Sequence, residues 1–226
     1  MKQHQHPYTA VAFDLDGTLV DTVPDLAHAG NLMLQSLSMQ AVRLEDVRLW
    51  IGDGIDVLTH RILSHNNPQP PEYGNELHVA ASTTFKQFYF DNVCVHSQLY
   101  PNVRELVEKL HKSSLITAVI TNKPRKFTLP LLQALKLDGL FDAIICGDDL
   151  PKKKPDPAQI QHFLTEQSLD ATQLLMVGDS KNDLLSAQNA GCDQVFVSFG
   201  YHQGIDPQSY NPNYIVDDFA ELEFLL

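Results

Sequence analysis

Two aspartates near the N-terminus have the spacing and setting of reactive groups. Asp14 and Asp16 stand directly after an apolar run at residues 8–13, which has the character of a buried strand. Burying one carboxylate costs free energy, and burying two close together costs more. The pair therefore indicates a bound metal ion or a chemical role. The alternative is a strand that merely ends in an acidic turn.

Other polar groups follow apolar runs later in the chain. They are Thr121 and Asn122 after residues 115–120, Lys154 after residues 142–146, and Asp179 and Asp183 after residues 173–177. Taken singly, each has an ordinary explanation as a helix cap, a solvated lysine loop or a turn. Their joint occurrence indicates a site, because the carboxyl ends of parallel strands meet at one edge of a sheet.

The residue types suggest phosphoryl chemistry at this edge. Asp14 is a candidate nucleophile, because carboxylates form acyl phosphates. Asp16, in the turn, is able to protonate a leaving oxygen and later to activate water. Asp179 and Asp183 add negative charge that a phosphate dianion would tolerate only beside a hard divalent cation. Mg²⁺ suits a site built from a few carboxylates and substrate oxygens.

Three residues of the middle segments would contact the phosphate or orient groups toward it. Thr121 offers a hydroxyl donor, and Lys154 supplies a positive charge for a transferring phosphoryl group. Pro124 suits the first position of a helix, so we expect that helix to direct free backbone N–H groups at the same pocket.

The segments that carry these groups predict an α/β fold. Five apolar runs are rich in Val, Ile, Leu or Phe with little alternation, at residues 8–13, 115–120, 142–146, 173–177 and 194–198. Such runs are typical of a parallel sheet covered on both faces. Helical patterns lie between them. We therefore predict right-handed crossovers and a three-layer, Rossmann-like α/β core.

A helical insert separates the first two predicted strands. The connection is far longer than one crossover needs, and its apolar residues repeat at helical spacing. We predict a helical cap domain at residues 21–94 and a core domain at residues 1–20 and 95–226. The cap begins where ligands bind in open parallel sheets. Asp53, between two glycines of the cap, is either a substrate-facing residue or part of a helix-opening turn.

The amino-acid composition limits the classes of molecule that the protein is expected to bind. The chain of 226 residues has 16 Lys and Arg against 28 Asp and Glu, a formal charge of −12. This charge argues against a nucleic-acid backbone or an anionic membrane surface as partner. It is compatible with a small phosphorylated metabolite, which responds to local charge. The sequence leaves open whether the protein is a monomer or a homodimer.

The cysteines and the N-terminus bear on the compartment. The three cysteines are odd in number and lack Cys-x-x-Cys spacing, which predicts free thiols, two of them buried, and a reducing, cytoplasmic location. No apolar run approaches the ~20 residues that span a bilayer. The first seven residues lack the apolar core of a signal peptide. We interpret His4 and His6 as part of a frayed terminus rather than a metal site.

Four motifs together resemble those of the haloacid dehalogenase-like hydrolases, and within them the phosphoglycolate phosphatase subgroup. The motifs are Asp14-Leu15-Asp16-Gly17-Thr18-Leu19-Val20-Asp21, Thr121-Asn122-Lys123-Pro124, Lys154-Pro155-Asp156-Pro157 and Gly178-Asp179-Ser180-Lys181-Asn182-Asp183. The resemblance spans essentially the whole chain after residue 7. The first and fourth motifs are the most specific for the superfamily.

The resemblance implies a Mg²⁺-dependent phosphomonoesterase with 2-phosphoglycolate as the favoured substrate. It implies Asp14 as nucleophile, Asp16 as general acid and base, and a Mg²⁺ ion held by Asp14, the Asp16 backbone carbonyl and Asp179, with Asp183 beside it. Gly17 and Asn122, inside the motifs, and Asp53 in the cap join Thr121 and Lys154 as expected phosphate- or substrate-binding residues.

Two positions depart from the subgroup pattern, and other readings remain. Asp53 stands where Asn is usual, in the cap, and Asn102 stands where Gly is usual. Alternatives within the fold are a phosphatase for pyrophosphate, a sugar phosphate or a nucleotide, a phosphomutase, and a silent phosphate-binding protein. A dehalogenase would have no use for Asp16. A receiver domain would be about half this length, with no helical insert.

Overall fold

A computed structural model describes residues 8–65 and 67–226 of the chain. Within these ranges, six parallel strands form the central sheet, in the order β5-β4-β1-β6-β7-β8, and β2 and β3 form a separate antiparallel pair. In chain order the strands are β1 (Ala10–Phe13), β2 (Val20–Asp21), β3 (Gln98–Leu99), β4 (Ile116–Ile120), β5 (Ala143–Ile145), β6 (Leu174–Gly178), β7 (Asp193–Val197) and β8 (Tyr214–Val216).

The α-helices fall into two groups. Four lie between β2 and β3: α1 (Val23–Ser36), α2 (Leu44–Arg48), α3 (Ile55–Ser64) and α4 (Glu76–Asp91). The others alternate with the sheet strands: α5 (Val103–His111), α6 (Arg125–Ala134), α7 (Ala158–Gln167) and α8 (Lys181–Ala190). We call α1 to α4 with their connections the helical insert.

The sheet is covered on both faces, which confirms the predicted three-layer α/β core. Successive strand side chains point to opposite faces. In β1, Val11 and Phe13 join an apolar cluster that includes α5 and α6, whereas Ala10 and Ala12 join one that includes α7 and α8. All four residues are fully buried. The lack of alternation in this run follows from a central strand that has no solvated face.

The helical insert has its own apolar cluster, formed by α1 to α4. Phe127 and Tyr201 are buried residues of the core that join it. The buried carboxylate of Asp25 in α1 accepts hydrogen bonds from the backbone N–H groups of His96 and Ser97, at 2.8 and 2.9 Å. These bonds tie the start of the insert to the segment that leads back into the core.

An edge strand, a left-handed residue and the cysteines bear on the sequence predictions. The edge strand β8 is absent from the prediction, because its apolar run of three residues, Tyr214–Val216, is shorter than those of the predicted strands. Asn102 adopts φ 63°, a left-handed conformation that Asn tolerates well. Cys146 and Cys192 are buried free thiols, as predicted, and Cys94 is free and partly exposed.

Two sequence expectations concern the membrane and the terminus. Among residues 8–65 and 67–226, no helix is both long enough and apolar enough to cross a membrane. His4 and His6 lie outside the described residues.

Candidate active site

The ends of the three central strands bring the predicted residues to one edge of the sheet. β1 pairs with β4 on one side and with β6 on the other, with Phe13 opposite both Val119 and Val177. Asp14, Thr121 and Asp179 each directly follow one of these strands. Residues far apart in sequence therefore meet because of the strand order.

Three carboxylates form the floor of the site. Oxygen atoms of Asp14, Asp179 and Asp183 lie within 4.8 Å of one another, and all three residues are buried. Asp179 is held from two sides: the Thr18 hydroxyl donates to its Oδ1 at 3.0 Å, and the Tyr201 backbone N–H donates to its Oδ2 at 2.7 Å.

Lys154 lies between two of these carboxylates. Its Nζ is 2.8 Å from Asp14 Oδ1 and 2.6 Å from Asp183 Oδ1, and it also donates to the Ile120 carbonyl at 2.6 Å. Burial lowers the pKa of Lys154, but the two carboxylates outweigh this effect and raise it to about 12. The ammonium group therefore stays charged at neutral pH.

Both carboxylate oxygens of Asp183 accept hydrogen bonds from protein donors. While Oδ1 accepts from Lys154, Oδ2 accepts from the Ser180 backbone N–H at 3.0 Å and from the Ser180 hydroxyl at 2.6 Å. This arrangement also forms the capping box that begins α8. Asp183 thus orients Lys154 and the start of the helix at the same time.

The floor carries more negative charge than the protein compensates. Burial raises the pKa of Asp14 to about 7, against the lowering effect of Lys154. Burial, together with the nearby charges of Asp183 and Asp14, raises the pKa of Asp179 well above its usual value. A cluster of buried carboxylate oxygens whose negative charge is not compensated suits a hard divalent cation, and these oxygen ligands fit Mg²⁺.

Asp16 stands apart from this floor and is held by two other groups. Its Oδ1 accepts a hydrogen bond from the Thr22 hydroxyl at 2.7 Å, and Lys123 Nζ lies 2.9 Å from Oδ1 and 3.1 Å from Oδ2. Both Asp16 and Lys123 line the cavity above the floor. Lys123 belongs to the motif that follows β4, but a single lysine at this position gives no sequence signal of a role in the site.

Thr121 and Asn122 also line the cavity. The Thr121 hydroxyl oxygen accepts the Lys123 backbone N–H at 3.2 Å. The Asn122 side-chain amide donates to the carbonyl groups of Lys154 and Gly52, at 2.9 and 3.1 Å. Because Gly52 belongs to the helical insert, Asn122 connects the two parts of the protein beside the site.

The start of α6 differs slightly from the expectation. Pro124 precedes the helix, which begins at Arg125. The backbone N–H of Arg125 donates to Asp148 Oδ1 at 2.7 Å. At least the first N–H group of α6 is therefore satisfied by the protein rather than left free for a ligand.

The helical insert forms an apolar roof over the polar floor. Four aliphatic side chains of the insert line the cavity: Leu26, Ile51, Ile55 and Leu58. Among the described lining residues, four aspartates face two lysines, a formal charge of −2: Asp14, Asp16, Asp179 and Asp183 against Lys123 and Lys154. The cavity is therefore electrostatically unfavourable for a phosphate dianion unless a cation is bound.

Gly17 acts through its lack of a side chain. It adopts φ +90°, and a Cβ atom at this position would lie 2.3 Å from Asp179 Oδ2 and 2.8 Å from the Tyr201 ring. The turn that carries Asp16 is therefore able to approach Asp179 closely. No side-chain contact is available at Gly17 for a ligand, so any contact would come from its backbone.

Asp53 lies outside the set that lines the cavity. Its Oδ2 accepts from Arg61 at 2.6 Å and its Oδ1 accepts from Asn182 at 2.9 Å. Although burial raises the pKa of Asp53, these two hydrogen bonds lower it below the usual value. The Asp53 carboxylate therefore contacts one residue of the insert, Arg61, and one residue of the core, Asn182.

Tyr201 is a second residue beside the site that the sequence did not indicate. Its hydroxyl accepts the backbone N–H groups of Thr22 and Val23 at 2.6 and 3.1 Å, at the start of α1. Its ring lies under the Arg48 guanidinium, 5.2 Å from the ring centroid. A lone tyrosine after the fifth apolar run carries no signal of spacing or periodicity.

Comparison with known proteins agrees with this geometry. A family model described as haloacid dehalogenase-like hydrolase matches residues 11–197. The phosphoglycolate phosphatase of Vibrio cholerae serotype O1 is 42% identical over 212 residues, which cover 94% of each chain. That of Vibrio parahaemolyticus is 38% identical over 218 residues, which cover 96% of each chain.

A solved structure extends the similarity to the whole fold. The crystal structure of a predicted phosphoglycolate phosphatase from Haemophilus somnus 129pt has a TM-score of 0.92 at 37% identity, over 98% of this chain and 99% of that one. The chain belongs to the haloacid dehalogenase-like hydrolases. Within that superfamily it falls in the phosphoglycolate phosphatase-like subgroup, and it is a phosphoric monoester hydrolase.

Proposed function

We propose that the protein is a Mg²⁺-dependent phosphatase that hydrolyses 2-phosphoglycolate to glycolate and phosphate through an aspartyl-phosphate intermediate. The observation that carries this proposal is the contact between Lys154 and Asp14, 2.8 Å, within a cluster of three buried carboxylates. A buried lysine beside a carboxylate that follows a central strand suits phosphoryl transfer to that carboxylate.

The reaction divides into two steps. In the first, an oxygen of Asp14 attacks phosphorus, the ester bond breaks, and the leaving alcohol takes a proton from Asp16. In the second, Asp16 removes a proton from a water molecule, whose oxygen attacks phosphorus and releases phosphate and free Asp14. Lys154 and Thr121 line the cavity beside Asp14 and would contact the phosphoryl oxygens during both steps.

The residues that would hold Mg²⁺ are Asp14, Asp179 and the backbone carbonyl of Asp16. Asp183, whose oxygens both accept protein hydrogen bonds, would lie beside the ion and orient Lys154. When bound, the cation would offset the carboxylate charge and help neutralise the charge of the transferring phosphoryl group.

We further propose that residues 21–94 form the cap domain and that residues 1–20 and 95–226 form the core domain. The apolar cluster of the insert and its aliphatic roof over the floor support this division. Such a roof would exclude bulk water from the first step. In this account Asp53 sets the position of a cap loop through Arg61 and Asn182 and acts on substrate choice indirectly.

The names of the relatives support 2-phosphoglycolate as the substrate, since the similarity extends over nearly the full length of both chains. The three free thiols are consistent with a cytoplasmic enzyme. A comparison of kcat/KM for 2-phosphoglycolate, pyrophosphate, sugar phosphates and nucleotides, each with Mg²⁺, tests the proposal. The highest value for 2-phosphoglycolate is expected. A clearly higher value for another compound would contradict the substrate, and no hydrolysis of any would contradict the chemistry.

A further inference from the structure

Lys123 is the charged group nearest to the proposed acid and base. Its ammonium group is buried, and Nζ lies within 3.1 Å of both carboxylate oxygens of Asp16. The second contact of Asp16 is the Thr22 hydroxyl, which also donates to Oδ1. Oδ1 thus accepts from two donors, whereas Oδ2 accepts only the longer contact with Lys123 among the contacts of the described residues.

The opposite side of Lys123 is covered by the helical insert. Its Nζ lies 4.7 Å from the ring centroid of Tyr89, a fully buried residue of α4. A cation over an aromatic face is attracted to it, and more strongly when water is excluded. Burial lowers the pKa of Lys123, but Asp16 and Tyr89 outweigh this and raise it above its usual value. Lys123 therefore remains a cation.

We propose that Lys123 is a positioning residue that fixes the carboxylate of Asp16 for proton transfer, and that Tyr89 fixes Lys123. This inference rests on the proposed function. In this arrangement, Oδ1 is anchored by Thr22 and Lys123, and Oδ2 is the oxygen that exchanges the proton. The insert takes part in the chemistry through the Tyr89 ring, although it supplies none of the candidate reacting groups.

The test compares two phosphate esters whose leaving groups differ in how much they need protonation. An alkyl phosphate such as 2-phosphoglycolate releases a poor leaving group that requires protonation, whereas p-nitrophenyl phosphate releases a stable phenolate. Because kcat/KM reports the first step, Lys123→Met should lower it by about 100-fold for 2-phosphoglycolate and by less than about tenfold for p-nitrophenyl phosphate. Equal losses for the two esters would overturn the proposal.

A double-mutant cycle distinguishes positioning from an independent contribution. If Lys123 acts through Asp16, adding Lys123→Met to Asp16→Asn should change kcat/KM by less than about threefold. Losses that multiply would show that Lys123 acts on the substrate itself and would overturn the inference.

Lys126 provides a matched control. Its Nζ also lies 4.7 Å from an aromatic ring of α4, that of Phe90, but Lys126 is exposed and has no ion pair with a described carboxylate. Lys126→Met should therefore leave both kcat/KM values within about twofold of the wild type. A leaving-group-dependent loss in this variant would overturn the specific role of Lys123.

Tyr89→Leu tests the second half of the proposal and keeps both charges of the pair. It should give a smaller loss with the same dependence on the leaving group, and it carries the test if Lys123→Met does not fold. Unchanged kcat/KM in a folded Tyr89→Leu variant would overturn the role of the ring. Failure of the proposed function would differ from all these outcomes, because it would show in the wild-type enzyme itself, as no hydrolysis of either ester or as a clearly higher kcat/KM for a phosphate other than 2-phosphoglycolate.

Discussion

The side-chain amide of Asn182 donates a 2.9 Å hydrogen bond to Asp53 Oδ1 and so joins the first turn of α8 to a loop of the helical insert. The same amide donates to the Gly52 carbonyl at 3.2 Å, which also accepts from Asn122 at 3.1 Å. The loop that precedes α3 is therefore placed by two core residues that line the cavity. Its position depends on the core, and the shape of the roof depends on the loop.

Replacement of Asp53 by Asn should alter substrate preference more than general turnover. The amide still accepts from Asn182 but loses the ion pair with Arg61, which is partly exposed and worth up to about 1 kcal/mol. We expect kcat/KM for 2-phosphoglycolate to fall by up to about fivefold, with a smaller change for p-nitrophenyl phosphate. Steady-state kinetics with both esters provide the measurement.

Asp56→Asn is the matched control for this change. Asp56 also forms an ion pair of 2.6 Å, but its partner Lys86 belongs to the insert and no core residue takes part. We expect the ratio of the two kcat/KM values to remain that of the wild type. If Asp53→Asn and Asp56→Asn shift this ratio equally, or if neither ester responds to Asp53→Asn, the ion pair that holds the Asp53 loop against Arg61 has no role in specificity.

Gly17→Ala should disturb the site by moving Asp179. A Cβ atom would lie 2.3 Å from Asp179 Oδ2, so that either the turn or the carboxylate must shift. Gly74→Ala is the control, because Gly74 has a similar φ of +83° and no heavy atom within 4 Å of the added carbon. Both variants have the same backbone strain of about 1 kcal/mol from the left-handed φ, but only Gly17→Ala also creates a steric clash.

We therefore expect Gly17→Ala to lower the free energy of unfolding by about 1–3 kcal/mol more than Gly74→Ala does, and to reduce kcat strongly. Denaturant unfolding and steady-state kinetics measure the two effects. Equal stability losses, with activity retained in both variants, would show that close packing against Asp179 is unimportant.

Mg²⁺ should stabilise the protein in a pH-dependent way. Because the pKa of Asp14 is raised from 3.8 to about 7, and that of Asp179 is also raised, the folded metal-free protein retains protons that the unfolded chain releases. The stability of the metal-free protein should therefore fall as the pH rises from about 4 to about 7. A cation that favours the ionised carboxylates should offset this loss.

The measurement is Tm with excess chelator and with Mg²⁺, at about pH 5 and about pH 7.5. Mg²⁺ should raise Tm at both values and more at the higher one. Chelation should also stop hydrolysis, and added Mg²⁺ should restore it. Full activity in excess chelator, or a Tm that Mg²⁺ leaves unchanged at neutral pH, would contradict the proposed metal site.

The convergence of Asp14, Thr121 and Asp179 could be predicted because it follows from strand order alone. Each residue comes directly after a buried apolar run, and parallel strands place these positions at one edge of the sheet. Asn102, where the subgroup usually has Gly, adopts a left-handed conformation that Asn tolerates, so this departure from the pattern leaves the backbone turn intact. Features of this kind depend on local pattern and on general rules of topology.

The roles of Lys123 and Tyr201 depend on tertiary packing, and no pattern in the sequence around these residues indicates them. Lys123 Nζ lies between Asp16 and the Tyr89 ring of α4, and α4 packs in the apolar cluster of the insert. Tyr201 reaches the start of α1 across the sheet edge. The sequence could not show which groups the Asp53 side chain contacts, because its partner Asn182 is far away along the chain, in the fourth motif.

The proposed mechanism requires Asp14 to take up the phosphoryl group during turnover. Rapid acid quenching of the enzyme with Mg²⁺ and 2-phosphoglycolate, followed by peptide mass spectrometry, tests it directly. We predict a peptide that contains Asp14 and carries one additional phosphoryl group, which is absent from the Asp14→Asn variant, together with a loss of kcat of about 10⁴-fold or more in that folded variant. Turnover by Asp14→Asn near the wild-type rate, or a phosphoryl group on a different residue, would contradict the account.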